Sequence, residues 1–191
     1  MKKLLCLIVA ALLVCVPSIA AEEETLPGIK APSASLMDIN GEALFEKNAH
    51  EKRPIASVTK VMTLLLVFEE TDGGALSLSD TVTASAHACS MGGSQIWLEE
   101  GETLSVEDMI KAVVICSAND CAVALAEKIS GTEEAFVARM NERAKELSMN
   151  DTHFVNACGL DAEGHVSSAH DVAVMSCELI KHEKVKEYAT V

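Results

Sequence analysis

Between Ser57 and Glu70 the chain places Val58, Val61, Met62, Leu64, Leu65, Leu66 and Phe68 without leaving a polar face. A helix that is apolar all round has to be buried on every side. The segment therefore predicts a central helix around which the domain is built, ended by Asp72-Gly73-Gly74. It opens on Ser57-Val58-Thr59-Lys60, and residues three apart on a helix share a face one turn apart. A lysine amine is thereby brought within reach of a serine hydroxyl. That hydroxyl is a weak nucleophile unless a neighbour takes its proton. A lysine can do so only where burial or nearby positive charge lowers its pKa. A Ser-x-x-Lys alone is weak evidence, but Cys116-Ser117-Ala118-Asn119-Asp120 follows about sixty residues later beside a second apolar helical run.

The remaining elements follow from local signals. Ser35–Ile39 and Glu42–Glu46 flank Asn40-Gly41, a strong two-residue hairpin signal. Residues 77–101 carry no clear period and contain the glycine loop Met91-Gly92-Gly93-Ser94-Gln95 and the single tryptophan, Trp97. Ser105-Val106-Glu107-Asp108 resembles a capping box and opens a helix to about Cys116. A second helix is expected over 120–129, with Gly131 as its stop. A third, from Thr132 to Leu147, carries an apolar face of Phe136, Val137, Met140, Ala144 and Leu147. A last helix is expected over 169–182, capped within Ser168–Asp171, with Asp171 read as a cap. A lone hairpin is marginal in water, and the chain after Glu46 offers no convincing further strand. The expected class is α+β: a hairpin followed by a helical cluster.

Residues 1–21 read as a secretory signal peptide. Lys2 and Lys3 precede the apolar run Leu4–Val16, and small residues stand at Ser18–Ala21. The run is too short for a good membrane span. Its removal takes two of the 15 basic residues and none of the 29 acidic ones, leaving a chain more negative than the full-length −14. Such a charge excludes a nucleic-acid partner, whose phosphates would repel it. Residues 22–32 read as an exposed lead-in. Cys89, Cys116, Cys121, Cys158 and Cys177 then remain, odd in number and without a Cys-x-x-Cys pair, which fits buried small side chains rather than zinc or thioredoxin-like chemistry. Of His87, His153, His165, His170 and His182, only His165 and His170 lie at a ligand-like spacing, and structural or surface roles are expected for them.

Taken together, Arg53–Thr63, the Met91–Gln95 loop, Ser117-Ala118-Asn119-Asp120, and Asn156–Leu160 followed by Gly164–Asp171 resemble the D-alanyl-D-alanine carboxypeptidases. These are the low-molecular-mass penicillin-binding proteins, whose signature is a Ser-x-x-Lys followed by a Ser-x-Asn. The resemblance implies the penicillin-binding protein/β-lactamase-like transpeptidase fold. It also implies hydrolysis of the terminal D-alanine from peptidoglycan stem peptides through an acyl-enzyme. Ser57 would be the nucleophile, Lys60 its base, Ser117 the proton relay to the leaving D-alanine, and Asn119 the residue positioning substrate and Lys60. The Ser57 backbone N–H would supply half of an oxyanion hole, with Gly93 and Ser94 bordering the substrate groove. No metal and no organic cofactor is implied. β-Lactams would act as covalent inhibitors, on the extracytoplasmic face of a bacterial membrane.

The family's third motif, Lys-Thr-Gly, does not occur in the 191 residues. The expectation is that residues 33–191 are the N-terminal part of a catalytic domain. On that reading the remaining sheet strands, and any membrane tether, belong to a missing C-terminal part, and these residues alone form an inactive or weakly active fragment. Two alternatives stand beside this. A β-lactamase-related hydrolase would use Glu146 and Asn150, which have a Glu-x-x-x-Asn spacing on the end of a helix. A stem-peptide binder would hold the substrate without cutting it.

Overall fold

The structure, a computed structural model, describes residues 28–189. The expected signal peptide lies outside them. By its contacts the chain divides after Lys30, and Ala31 onward forms one unit. Strands β1 (Ala34–Met37) and β2 (Ala43–Lys47) pair antiparallel, with Ala34 opposite Lys47 and Leu36 opposite Phe45. The hairpin stands where Asn40-Gly41 predicts it, but its turn is longer than two residues. Asp38 N–H donates to Glu42 O at 2.9 Å and Gly41 N–H to Asp38 O at 3.0 Å. The Asp38 carboxylate accepts from the N–H groups of Asn40 and Glu42. That carboxylate draws the chain into a three-residue loop closed by Gly41 at φ +86°.

A 3-10 turn over Ala56–Thr59 leads into α1 (Lys60–Asp72). The α-helix therefore starts at Lys60 and not at Ser57 as the pattern predicts. In a 3-10 turn side chains three apart eclipse, which stacks Ser57 directly over Lys60. Next come β3 (Thr81–Thr83), the short α2 (Ala86–Cys89) and β4 (Thr103–Ser105). β3 and β4 pair antiparallel, with Val82 opposite Leu104. These two strands correct the reading of residues 77–101 as irregular and of the chain after Glu46 as strandless. Three residues are too few to show a period, and residues 84–102 separate the partners.

The helices α3 (Val106–Cys116), α4 (Asn119–Ser130), α5 (Glu133–Glu146), α6 (Ala169–Leu179) and α7 (Glu183–Ala189) complete the described chain. Ser105, Thr132 and Ser168 each cap a helix by accepting from the third residue on. The expected last helix stops at Leu179, and α7 follows as a separate element. Asp171 is not a cap. Ser168 holds that position, and the buried Asp171 carboxylate accepts from Asp151 N–H and Thr152 Oγ1.

Helix α1 is buried along Met62–Phe68 and packs against α4, α5 and α6. α4 is buried without a break from Asn119 to Ala126, and its Cys121, Ala122, Ala124 and Ala126 let neighbouring backbones come close. Each fully buried Leu, Phe or Val in this core contributes about 1.5–3 kcal/mol. The hairpin gains its support from α6 rather than from further strands. Of the cysteines, Cys121, Cys158 and Cys177 are buried as expected, but Cys116 is exposed and Cys89 half-buried, and all five are free thiols.

Candidate active site

Helix α1 and the segment 154–165 are stitched together around Ser57. Lys60, the first residue of α1, is buried, while Ser57 one 3-10 turn earlier is exposed. Lys60 Nζ lies 3.2 Å from Ser57 Oγ and 2.6 Å from both Asn119 Oδ1 and Cys158 O. Burial pushes the Lys60 pKa below its ordinary 10.5, partly countered by the charge that Cys158 can carry. A buried amine favours its neutral form because the ion loses hydration.

The carbonyl that receives Lys60 is itself held. Asn156 Oδ1 accepts from the N–H groups of Cys158 and Gly159, at 3.2 and 2.6 Å, and Asn156 Nδ2 donates to Leu160 O. Thr63 Oγ1, one turn along α1, donates to Ala157 O at 2.5 Å. His165 Nδ1 accepts from Val155 N–H, so in the neutral ring Nε2 carries the proton and donates to Thr59 Oγ1 at 2.7 Å. Burial holds the His165 pKa below 6.5. Gly159 touches the Ala56–Ser57 backbone. A Cβ there would lie 1.9 Å from Ala56 O and 3.0 Å from Ser57 N.

Asn119 opens α4 and faces the site from the other side. Its Nδ2 donates to Gly92 O at 2.7 Å, and its own N–H to Ser94 O at 2.7 Å. The Gly92 carbonyl can only accept, so Nδ2 faces it and Oδ1 faces the N–H bonds of Lys60, which fixes the orientation of the Asn119 amide. A Cβ at Gly93 would sit 2.9 Å from Asn119 Nδ2. Gly93 and Ser94 thus lie against Asn119 through the backbone, which accounts for glycine in this loop. Next to Asn119, the buried Asp120 carboxylate accepts from Ile96, Leu98 and Cys121 N–H, at 3.2, 3.1 and 2.9 Å, and anchors the far end of the loop.

Ser117 ends α3 in a left-handed conformation, φ +55°, and is half-buried. It shares a groove with Ser57 and Lys60, walled by Val61, Leu64, Phe68, Val113, Leu179 and Tyr188. Among the described residues no hydrogen bond joins its hydroxyl to either of them. The structure therefore brings Ser57, Lys60 and Ser117 to one groove, with Asn119 bonded to Lys60. Glu146 is placed elsewhere, bonded to Arg143 on α5 and grouped with Leu66, Glu69, Arg139 and Glu142. His165 and His170 are not partners: His165 bonds Thr59, and His170 bonds Glu46.

Sequence reasoning quoted Asp120 and Asn156–Leu160 within the resemblance but gave them no role, and it did not foresee Cys158 O or the Thr59–His165 pair. Only the fold shows that the Asn156–Gly159 turn meets Lys60.

A family model described as D-alanyl-D-alanine carboxypeptidase matches residues 20–191. The chain belongs to this family. Among its relatives, the carboxypeptidase DacF of Bacillus subtilis is 49% identical over 160 residues, 83% of this chain and 41% of the relative. DacC of Escherichia coli is 38% identical, over 94% of this chain and 47% of the relative. The crystal structure of DacD from Francisella tularensis superposes with a TM-score of 0.81 at 35% identity, covering 85% of this chain and 40% of that one. Penicillin-binding protein 6B of Escherichia coli gives 0.80 at 38%, covering 88% and 55%. The α+β transpeptidase fold of penicillin-binding proteins is thus shared over the matched span. The chain spans less than half the length of the curated relatives it matches.

Proposed function

We propose that this chain carries the acylating half-site of a serine-type D-alanyl-D-alanine carboxypeptidase that trims the terminal D-alanine from peptidoglycan stem peptides. The observation that carries the reading is the set of bonds around Lys60 Nζ. A neutral amine has two N–H bonds and one lone pair. Asn119 Oδ1 and Cys158 O, both at 2.6 Å, can only accept, and they use both N–H bonds. The lone pair is left for the third neighbour, Ser57 Oγ at 3.2 Å. Burial lowers the Lys60 pKa and so favours that neutral form. Lys60 then takes the Ser57 proton as Oγ bonds to the substrate carbonyl carbon. The acyl-enzyme forms as the bond to the leaving D-alanine breaks.

Ser117, in the same groove, is assigned the proton transfer to the leaving amine, and Asn119 the positioning of Lys60 and of the substrate peptide. The Ser57 N–H is assigned to the developing oxyanion. Water then releases the shortened peptide. Action outside the cytoplasmic membrane follows from the basic start and apolar run of residues 2–16. Among the described residues no helix is long and apolar enough to cross a membrane.

β-Lactams are read as covalent inhibitors. One relative in structure, penicillin-binding protein D2 of Listeria monocytogenes, is solved in its ampicillin-bound form, with a TM-score of 0.71 at 34% identity. The test is exposure of the chain and of Ser57→Ala to a fluorescent penicillin, with the adduct mapped by mass spectrometry. One acyl group on Ser57, absent from the variant, is expected. An adduct on another residue, or equal labelling of Ser57→Ala, refutes the assignment. Steady turnover of a chromogenic cephalosporin would instead favour a β-lactamase.

A further inference from the structure

The fold brings together a second group of side chains that the Ser57 chemistry does not use. Glu46 stands in β2, His50 in the turn after it, and His170 in the first turn of α6. One ligand atom from each lies within 4.8 Å of the other two. The two imidazole rings face each other, with centroids 4.5 Å apart and planes tilted by 32°. His170 Nδ1 is 2.7 Å from Glu46 Oε1. Behind His50, its Nδ1 lies 3.0 Å from Asp151 Oδ2.

We propose that Glu46, His50 and His170 form a binding site for a divalent transition metal of the zinc class, with Asp151 orienting His50. Two imidazoles and one carboxylate are a donor set that zinc takes with a fourth position left to water. Asp151 supplies the feature that separates a metal site from ordinary surface pairs. A ligating histidine donates its other ring N–H to a carboxylate, which sets the tautomer and aims the free nitrogen. With Nδ1 occupied by Asp151, Nε2 of His50 is the ligand atom.

The framework behind these side chains is held by main-chain bonds. His170 N–H donates to Ala49 O at 2.9 Å, tying the turn before His50 to α6. The buried Asp171 carboxylate accepts from Asp151 N–H at 2.9 Å, tying the Asp151 loop to the same helix. Ligand atoms bound to zinc at about 2.0–2.1 Å stand roughly 3.4 Å apart in a tetrahedron. With all ligand atoms within 4.8 Å, closure asks for a contraction of at most about 1.4 Å. His50 is exposed and Glu46 half-buried, so both can move by that much. Binding displaces the Glu46–His170 hydrogen bond. The sequence hides the site because its ligands come from positions 46, 50 and 170, far from any ligand spacing.

The test is calorimetric titration of the untagged chain with Zn²⁺ at neutral pH, with thermal unfolding and Co²⁺ absorption spectra alongside. One equivalent of Zn²⁺ and a raised Tm are expected. His50→Gln and His170→Gln should each abolish the rise in Tm. Asp151→Asn should weaken binding about 10–100-fold, while Cys116→Ser should bind like the parent chain. His50 is exposed, so His50→Gln keeps the test valid if His170→Gln fails to fold. No heat with Zn²⁺, unchanged binding by His50→Gln, or a thiolate charge-transfer band with Co²⁺ would each overturn the proposal.

Discussion

Adding one methyl group at Gly159 should displace Ser57. A Cβ at this position would stand 1.9 Å from Ala56 O, 2.4 Å from Ala56 C and 3.0 Å from Ser57 N. Ordinary contact needs about 3.5 Å, so the Ala56–Ser57 peptide has to retreat by roughly 1.5 Å. Ser57 Oγ already stands 3.2 Å from Lys60 Nζ, and that shift takes it out of hydrogen-bond range. A misplacement of about 1 Å costs on the order of 100-fold in rate. Gly159 also sits at φ +87°, where a side chain costs about 1–2 kcal/mol, and overpacking adds about 1–3 kcal/mol. For a chain of this length the sum lowers Tm by roughly 5–15 °C. Gly164→Ala separates the two contributions. It has φ +81°, and the nearest atom to its Cβ is His153 Cδ2 at 3.9 Å. Gly164→Ala should lose only the conformational part and acylate at the parent rate. Scanning calorimetry and the rate of labelling by fluorescent penicillin read both effects. Equal losses of Tm in the two variants, with unchanged labelling in Gly159→Ala, would falsify the packing argument.

Two further outcomes follow from the same geometry. Burial lowers the Lys60 pKa from 10.5, so between the folded value and 10.5 the unfolded chain holds more protons. Stability then rises with pH across that window, and the burial cost is carried in full below it. The acylation rate should rise over the same limb, and a limb centred at or above 10.5 would refute Lys60 as the base. Asp120→Ala leaves the N–H groups of Ile96, Leu98 and Cys121 without their acceptor. At about 1–3 kcal/mol for a buried group left unpaired, a clear fall in Tm and faster amide exchange at Ile96 and Leu98 are expected, and unchanged exchange would contradict the anchoring role.

Much of the helical part of the fold was legible because its signals are local. The apolar run of α1 and the Ser105, Thr132 and Ser168 caps each lie within a few residues of what they specify. The failures have equally local causes. β3 and β4 are three residues each and find each other across residues 84–102, so neither announces itself. The Asn40-Gly41 turn lengthens because the Asp38 carboxylate captures two amides. Asp171 reads as a cap from its position, yet its carboxylate serves the 151–152 loop.

The sequence by itself picked out Ser57, Lys60, Ser117 and Asn119 as the candidate site residues. Ser57 and Lys60 are three apart on one turn, and Ser117-Ala118-Asn119 sits at a helix junction, so their grouping needs only short-range geometry. The tertiary structure alone decided how Lys60 is buried and bonded. Its two fixed acceptors, Asn119 Oδ1 and Cys158 O, arrive from 59 and 98 residues away. Cys158 contributes a main-chain carbonyl, which every residue possesses and no side-chain pattern can reveal. The same holds for the Gly159 contact with Ala56 and for the meeting of Glu46, His50 and His170: each is a matter of which surfaces the packed helices bring face to face.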